Sequence, residues 1–103
     1  AAVAACVVGA AAGAVAAAAL RVLGDSRWAS FVGPMMGHGI GLETVEEPSL
    51  APGGEAVLEP GMTLCVEPGI FVPGAFGAVV EQEIVVREAG PPEVITPTPA
   101  RLW

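Results

Sequence analysis

Residues 1–20 carry no charge at all. Twelve of them are alanine, the residue of highest helix propensity, and Val3, Cys6, Val7, Val8, Val15 and Leu20 supply most of the bulk. The pattern predicts one helix running to about Leu23, with Gly24 as a left-handed cap and Asp25-Ser26 as the turn after it. A run this long also meets the threshold for a membrane span. Its alanines and glycines are only weakly hydrophobic, and it has neither an aromatic belt nor a basic flank. It does not read as a cleavable leader, which opens on a positive stretch. The favoured expectation is a buried helix of a globular domain without membrane contact. A membrane-anchored chain spanning at residues 1–20 is the alternative. Gly9 and Gly13 match G-x-x-x-G, a pattern close to chance in so alanine-rich a run.

From Arg27 onward the helical period is gone. Trp28, Phe31, Val32, Met35 and Met36 form a short apolar stretch expected to be a strand. Gly37-His38-Gly39-Ile40-Gly41 is too rich in glycine for a helix. Residues 43–55, with Glu43, Glu46, Glu47, Pro48, Pro52, Gly53 and Gly54, are expected to loop across the surface. Leu58-Glu59-Pro60-Gly61 predicts a turn. Met62–Val66 predicts a strand, stopped by Pro68-Gly69. Its alternation puts Thr63, Cys65 and Glu67 on one face and Met62, Leu64 and Val66 on the other. Ile70–Val72 is a short strand before the turn at Pro73-Gly74. Ala78–Arg87 is the clearest strand, and Val94-Ile95 a final short one. One helix followed by antiparallel strands is an α+β pattern.

Composition narrows the function. A length of 103 residues suits one small domain, and 53% hydrophobic against 15% charged residues excludes a disordered tail. Eleven acids against four arginines and no lysine leave a net charge of −7. Nothing there neutralises a row of phosphates, so nucleic acid and anionic membrane surfaces are poor partners. Two cysteines, Cys6 and Cys65, make no disulfide framework and fit no zinc spacing, which points to a reducing, cytoplasmic setting. The start at Ala1 and the tail Thr96-Pro97-Thr98-Pro99-Ala100-Arg101-Leu102-Trp103 lead to the expectation of a C-terminal piece of a longer protein.

Candidate chemistry rests on three residues. His38, the sole histidine, lies between glycines that let the backbone approach something closely. Glu67 ends the strand Met62–Val66 beside a Pro-Gly turn, and Glu81 is expected in mid-strand among Val79, Val80, Ile84, Val85 and Val86. A carboxylate buried among such residues needs a partner. Two glutamates and a histidine supply O, O and N donors for a metal. The alternative, weighted equally on the residues alone, is that both glutamates are ordinary solvent-facing strand residues. Cys65 is expected to be inert, as a small core residue or as lining beside Glu67.

Met36-Gly37-His38-Gly39-Ile40-Gly41-Leu42-Glu43, Glu46-Glu47-Pro48, Leu58-Glu59-Pro60-Gly61-Met62, Val66-Glu67-Pro68-Gly69-Ile70-Phe71-Val72-Pro73-Gly74 and then Glu81 occur in this order. Together, over roughly residues 15–103, they resemble the C-terminal half of the pita-bread metallopeptidases. That family includes methionine aminopeptidase, Xaa-Pro aminopeptidase, prolidase and creatinase. The 14-residue step from Glu67 to Glu81 looks most like the Xaa-Pro branch. The resemblance implies residues 1–103 as part of a catalytic domain whose upstream part is missing. Its helix would pack on a curved antiparallel sheet. It also implies two divalent metal ions (manganese, cobalt, zinc or iron) held by two aspartates, one histidine and two glutamates. His38, Glu67 and Glu81 match the last three, and Glu67 also matches the residue that handles the proton of the attacking water. The implied substrate is a peptide or small amide cut after its N-terminal residue, and the full-length form is a possible homodimer.

Three departures qualify that implication. Asp25 is the sole aspartate and lies after the helix, so both upstream aspartate ligands are absent. Val45 stands where the family usually has a substrate-contacting histidine, and Val79 and Gln82 replace an arginine and an acid around Glu81. The leading expectation is a truncated Xaa-Pro-type hydrolase. The alternatives are a catalytically inactive relative that serves as a binding domain and a creatinase-like enzyme acting on a non-peptide C–N bond. A half-domain exposes a sheet edge and apolar surface, so the isolated chain should be marginally stable or aggregate. A reversible, cooperative melt of the monomer at high temperature would count against this.

Overall fold

The computed structural model describes residues 1–99, so Ala100–Trp103 of the expected tail lie outside the described residues. The alanine run does not form one helix. It divides into α1 (Ala2–Ala5) and α2 (Ala12–Gly24). Between them Gly9 turns at φ +83° and the backbone pairs with a distant loop. Gly9 N–H donates to Leu58 O at 2.8 Å, and Leu58 N–H donates to Ala10 O at 2.9 Å. The first donors of α2 find carbonyls in the same loop: Ala12 N–H to Ala56 O at 2.8 Å and Gly13 N–H to Gly54 O at 2.9 Å. A helix start leaves such N–H groups open, and here backbone rather than a capping side chain satisfies them. Gly13 therefore sits against Gly54, where a Cβ would lie 3.0 Å from its backbone. Gly9 is outside the helix, so the G-x-x-x-G match marks no helix face. No helix among the described residues is long and apolar enough to cross a membrane, and the span considered over residues 1–20 is interrupted at this turn.

The expected left-handed cap at Gly24 is also corrected. Gly24 is the last helical residue, Asp25 follows at φ −81°, and the Ser26 hydroxyl donates to Leu23 O at 2.6 Å. A side-chain donor thus takes the carbonyl that a glycine cap would otherwise have closed. The apolar stretch after it is not a strand. Ala29–Phe31 is a single 3-10 turn, and Trp28 packs edge-on against Phe76 with ring centroids 5.2 Å apart.

Among the described residues, five strands form one antiparallel sheet in the order β2 (Glu46–Ser49), β1 (Gly37–Gly39), β3 (Thr63–Val66), β6 (Gln82–Val85), β7 (Glu93–Val94). The remaining two, β4 (Gly69–Val72) and β5 (Phe76–Val79), make a separate hairpin around the Pro73-Gly74 turn. The surface loop expected over 43–55 thus contains an edge strand, β2, which pairs with β1 through an irregular register at His38/Gly39. The long strand expected over 78–87 breaks in two, because β5 pairs with β4 while β6 pairs with β3. Val80 and Glu81 fall at the junction, and Glu81 is solvent-exposed instead of lying in mid-strand. Exposed in this way, its carboxylate needs no buried partner.

Strand alternation in β3 is as the sequence predicts. Leu64 and Val66 face a core completed by Ile84, Val86, Met36, Leu50 and Leu58 and covered by Ala12, Val15, Ala16 and Ala19 of α2. Small side chains at helical spacing let α2 lie close to the sheet. Leu64→Ala should therefore cost about 2–5 kcal/mol by denaturant unfolding, while fully exposed Leu42→Ala should stay within about 0.5 kcal/mol. Cys6, fully buried in this core, has its thiol pushed up from 9.0 to about 11 by burial. The unfolded chain then loses that proton first, so stability should fall as pH rises from 9 towards 11. Cys6→Ala should lessen that alkaline fall in a denaturation series across pH.

Candidate metal centre

Three strands bring the candidate residues together on the face of β3 away from the core. In β1, Gly37 and Gly39 flank His38, and each is glycine for a steric reason. A Cβ on Gly37 would collide with the Cys65 carbonyl of β3, and one on Gly39 with the Glu47 carbonyl of β2. Two neighbouring backbones thus close on β1 from either side, leaving His38 6% exposed. His38 is the direct cross-strand partner of Cys65, and Cys65 of Glu83. Glu67 lies two residues beyond Cys65 on the same face, with its N–H donating to Met36 O at 2.9 Å.

His38 Nδ1–H donates to Gly39 O at 2.8 Å. His38 Nε2 lies 3.0 Å from Glu67 Oε1. A carbonyl and a carboxylate both accept, whereas a neutral imidazole has a single N–H. With Nδ1 carrying that hydrogen, Nε2 offers a lone pair to a carboxylate oxygen. The contact is favourable when a proton or a metal cation lies between the two atoms. Metal-binding histidines are commonly held in this way, with the other ring nitrogen bonded to a carbonyl.

The Cys65 thiol, 1% exposed, donates to Glu81 Oε1 at 3.0 Å. Burial, that hydrogen bond and the charges of Glu67, Glu81 and Glu83 push it up from 9.0 to about 12, which keeps it a thiol while no cation is bound beside it. Ligand atoms of His38, Cys65 and Glu67 all lie within 4.8 Å of one another. The three predicted residues are therefore not grouped as a simple triad. His38 and Glu67 touch, while Glu81 joins them through Cys65. Of the two places expected for Cys65, core or lining beside Glu67, it takes the second, and its contact with Glu81 was not expected. The signal was available in the pairing of β3 with β6, which continues from Cys65 opposite Glu83 towards Glu67 and Glu81. Among the described ion pairs, none brings an arginine to Glu67 or Glu81.

Residues 1–88 match the description "Metallopeptidase family M24". The chain is 45% identical over 74 residues to the "Probable dipeptidase PepE" of Mycobacterium tuberculosis, covering 72% of this chain and 20% of that protein. It is 39% identical over 72 residues to the "Xaa-Pro dipeptidase" of Lactobacillus delbrueckii subsp. lactis, covering 70% and 20% respectively. Among solved structures, the dipeptidase PepE of Mycobacterium ulcerans superimposes with a TM-score of 0.92 at 40% identity, over 98% of this chain and 27% of that one. The chain thus spans about a fifth of the length of the curated relatives it matches. Matched over most of its length in sequence and nearly all of it in structure, the chain belongs to metallopeptidase family M24 and has the α+β architecture of the second half of a pita-bread domain.

Proposed function

We propose that this chain is the C-terminal part of a hydrolase that cuts the amide after the N-terminal residue of Xaa-Pro peptides. His38, Glu67 and Glu81 would be among the ligands of its two divalent ions. The observation that carries this is the contact of His38 Nε2 with Glu67 Oε1 while Nδ1 is committed to Gly39 O. That arrangement fits a cation, and nitrogen and carboxylate donors suit manganese, cobalt, zinc or iron. Two divalent ions supply Lewis acidity, which acidifies water and polarises the scissile carbonyl. Glu67 is partly open to solvent, so it can take a proton from the attacking water and return it to the departing amine. The backbone bond from Glu67 N–H to Met36 O and the glycine-flanked seat of His38 hold both side chains in place. The printed names of the relatives, a dipeptidase and an Xaa-Pro dipeptidase, support the substrate class. Their greater length leaves room for the two aspartate ligands in an upstream part. Free, buried Cys6 and Cys65 suit a cytoplasmic setting.

One observation favours a second possibility, a binding-only or creatinase-like protein. Val45, 56% exposed, occupies the position where the family resemblance implies a substrate-contacting histidine. The two are separated in the complete protein. Glu67→Ala and Glu81→Ala should each lower bound manganese or cobalt, and Glu67→Ala should slow Xaa-Pro hydrolysis by about 10²–10⁴-fold. Unchanged metal content and hydrolysis in both variants would refute the assignment. A wild-type protein without stoichiometric metal would point to the binding-only role.

A further inference from the structure

We propose that Cys65 is a third donor to the ion shared by His38 and Glu67, giving this chain an N/S/O site that prefers a thiophilic divalent cation such as zinc. It rests on the premise above that His38 and Glu67 face a cation, and adds the sulfur. The placement comes from the sheet. His38 and Cys65 are direct partners across β1 and β3, and Cys65 and Glu67 are alternate residues on one face. Their ligand atoms lie within 4.8 Å of one another. Donors around a tetrahedral zinc stand about 3.3–3.8 Å apart, within about 1.5 Å of the widest spacing in this cluster.

The surroundings suit a cation better than a bare thiol. Cys65 is as buried as a core residue, yet it faces away from the apolar core of Leu64 and Val66. Its neighbours on that face are the carboxylates of Glu67, Glu81 and Glu83. A metal ion placed among these groups compensates the carboxylates and takes the lone pair that Nε2 of His38 directs at Glu67. On binding, the S–H bond breaks, a sulfur–metal bond forms, the proton leaves to solvent water, and the Glu81 oxygen that accepted the thiol's hydrogen bond is freed to face the ions. Thiolate is a softer donor than carboxylate, so Cys65 shifts preference towards zinc, cadmium and cobalt and away from manganese.

The test is a titration of the metal-free chain with cobalt(II) chloride, read by absorption, with zinc chloride as competitor. The expected result is a sulfur-to-cobalt charge-transfer band that saturates at one equivalent, persists in Cys6→Ala and is displaced by zinc. Cys65→Ser should abolish the band and weaken binding by at least the roughly 10–100-fold that outer-shell changes produce. Wild type and Cys6→Ala decide the matter even if Cys65→Ser fails to fold. Cobalt binding without the band would overturn the sulfur ligand and leave the His38–Glu67 pair standing. A titration unchanged in His38→Ala would overturn that pair as well. No cobalt binding by the wild-type chain would overturn the site proposed here, while the metal content of the complete protein separately decides the hydrolase assignment.

Discussion

The site depends on how closely three strand backbones approach around one histidine. β1 is only three residues long, and its two glycines give up side chains so that β3 and β2 can come within contact of it. A side chain at Gly37 would push β3 away and separate His38 from Cys65, and one at Gly39 would push β2 away. The cost is local, since glycine gives a strand nothing to pack and holds it less firmly. Core packing offsets it from the other side of the sheet, where Leu64, Val66, Ile84 and Val86 are sealed by α2. One face of β3 thus supplies stability and the opposite face carries the candidate ligands, and the two-residue period of the strand keeps them apart.

Charge follows from that geometry. An imidazole held between a carbonyl and a carboxylate has one hydrogen for two acceptors. Nearby, a thiol is kept protonated by burial and by the carboxylates around it. Both groups stand beside carboxylates, and a single cation placed between them would compensate that negative charge. The chain's overall charge of −7 adds a favourable long-range field for such an ion.

Some of the local expectations failed for one reason: the missing information was which backbone pairs with which. The alanine run predicts a continuous helix, yet residues 9–13 bond to residues 54–58, and Val7, Val8, Gly9 and Gly13 have weaker helix propensity than the alanines around them. Residues 78–87 have the composition of one strand, yet β4 claims the first part and β3 the second. Glu46–Ser49 contains a proline and two charges and still forms an edge strand, where an edge tolerates both. The cap expected at Gly24 failed for a different reason, a serine side chain that no hydropathy pattern marks.

By itself the sequence determined the α+β class, the strand Met62–Val66 with its two faces, the turns at Pro60-Gly61 and Pro73-Gly74, and the candidacy of His38, Glu67 and Glu81. These depend on residue type and near-neighbour spacing, which act over a few residues and are written along the chain. Only the tertiary structure decided that His38 touches Glu67, that Cys65 lies between them and Glu81, and that Glu81 stands exposed at a strand junction. Contacts of that kind join residues separated by 16 to 29 positions in the chain, as Cys65 to Glu81 and His38 to Glu67 show. They are set by register and by the close approach of backbones, both of which exist only once the sheet has formed.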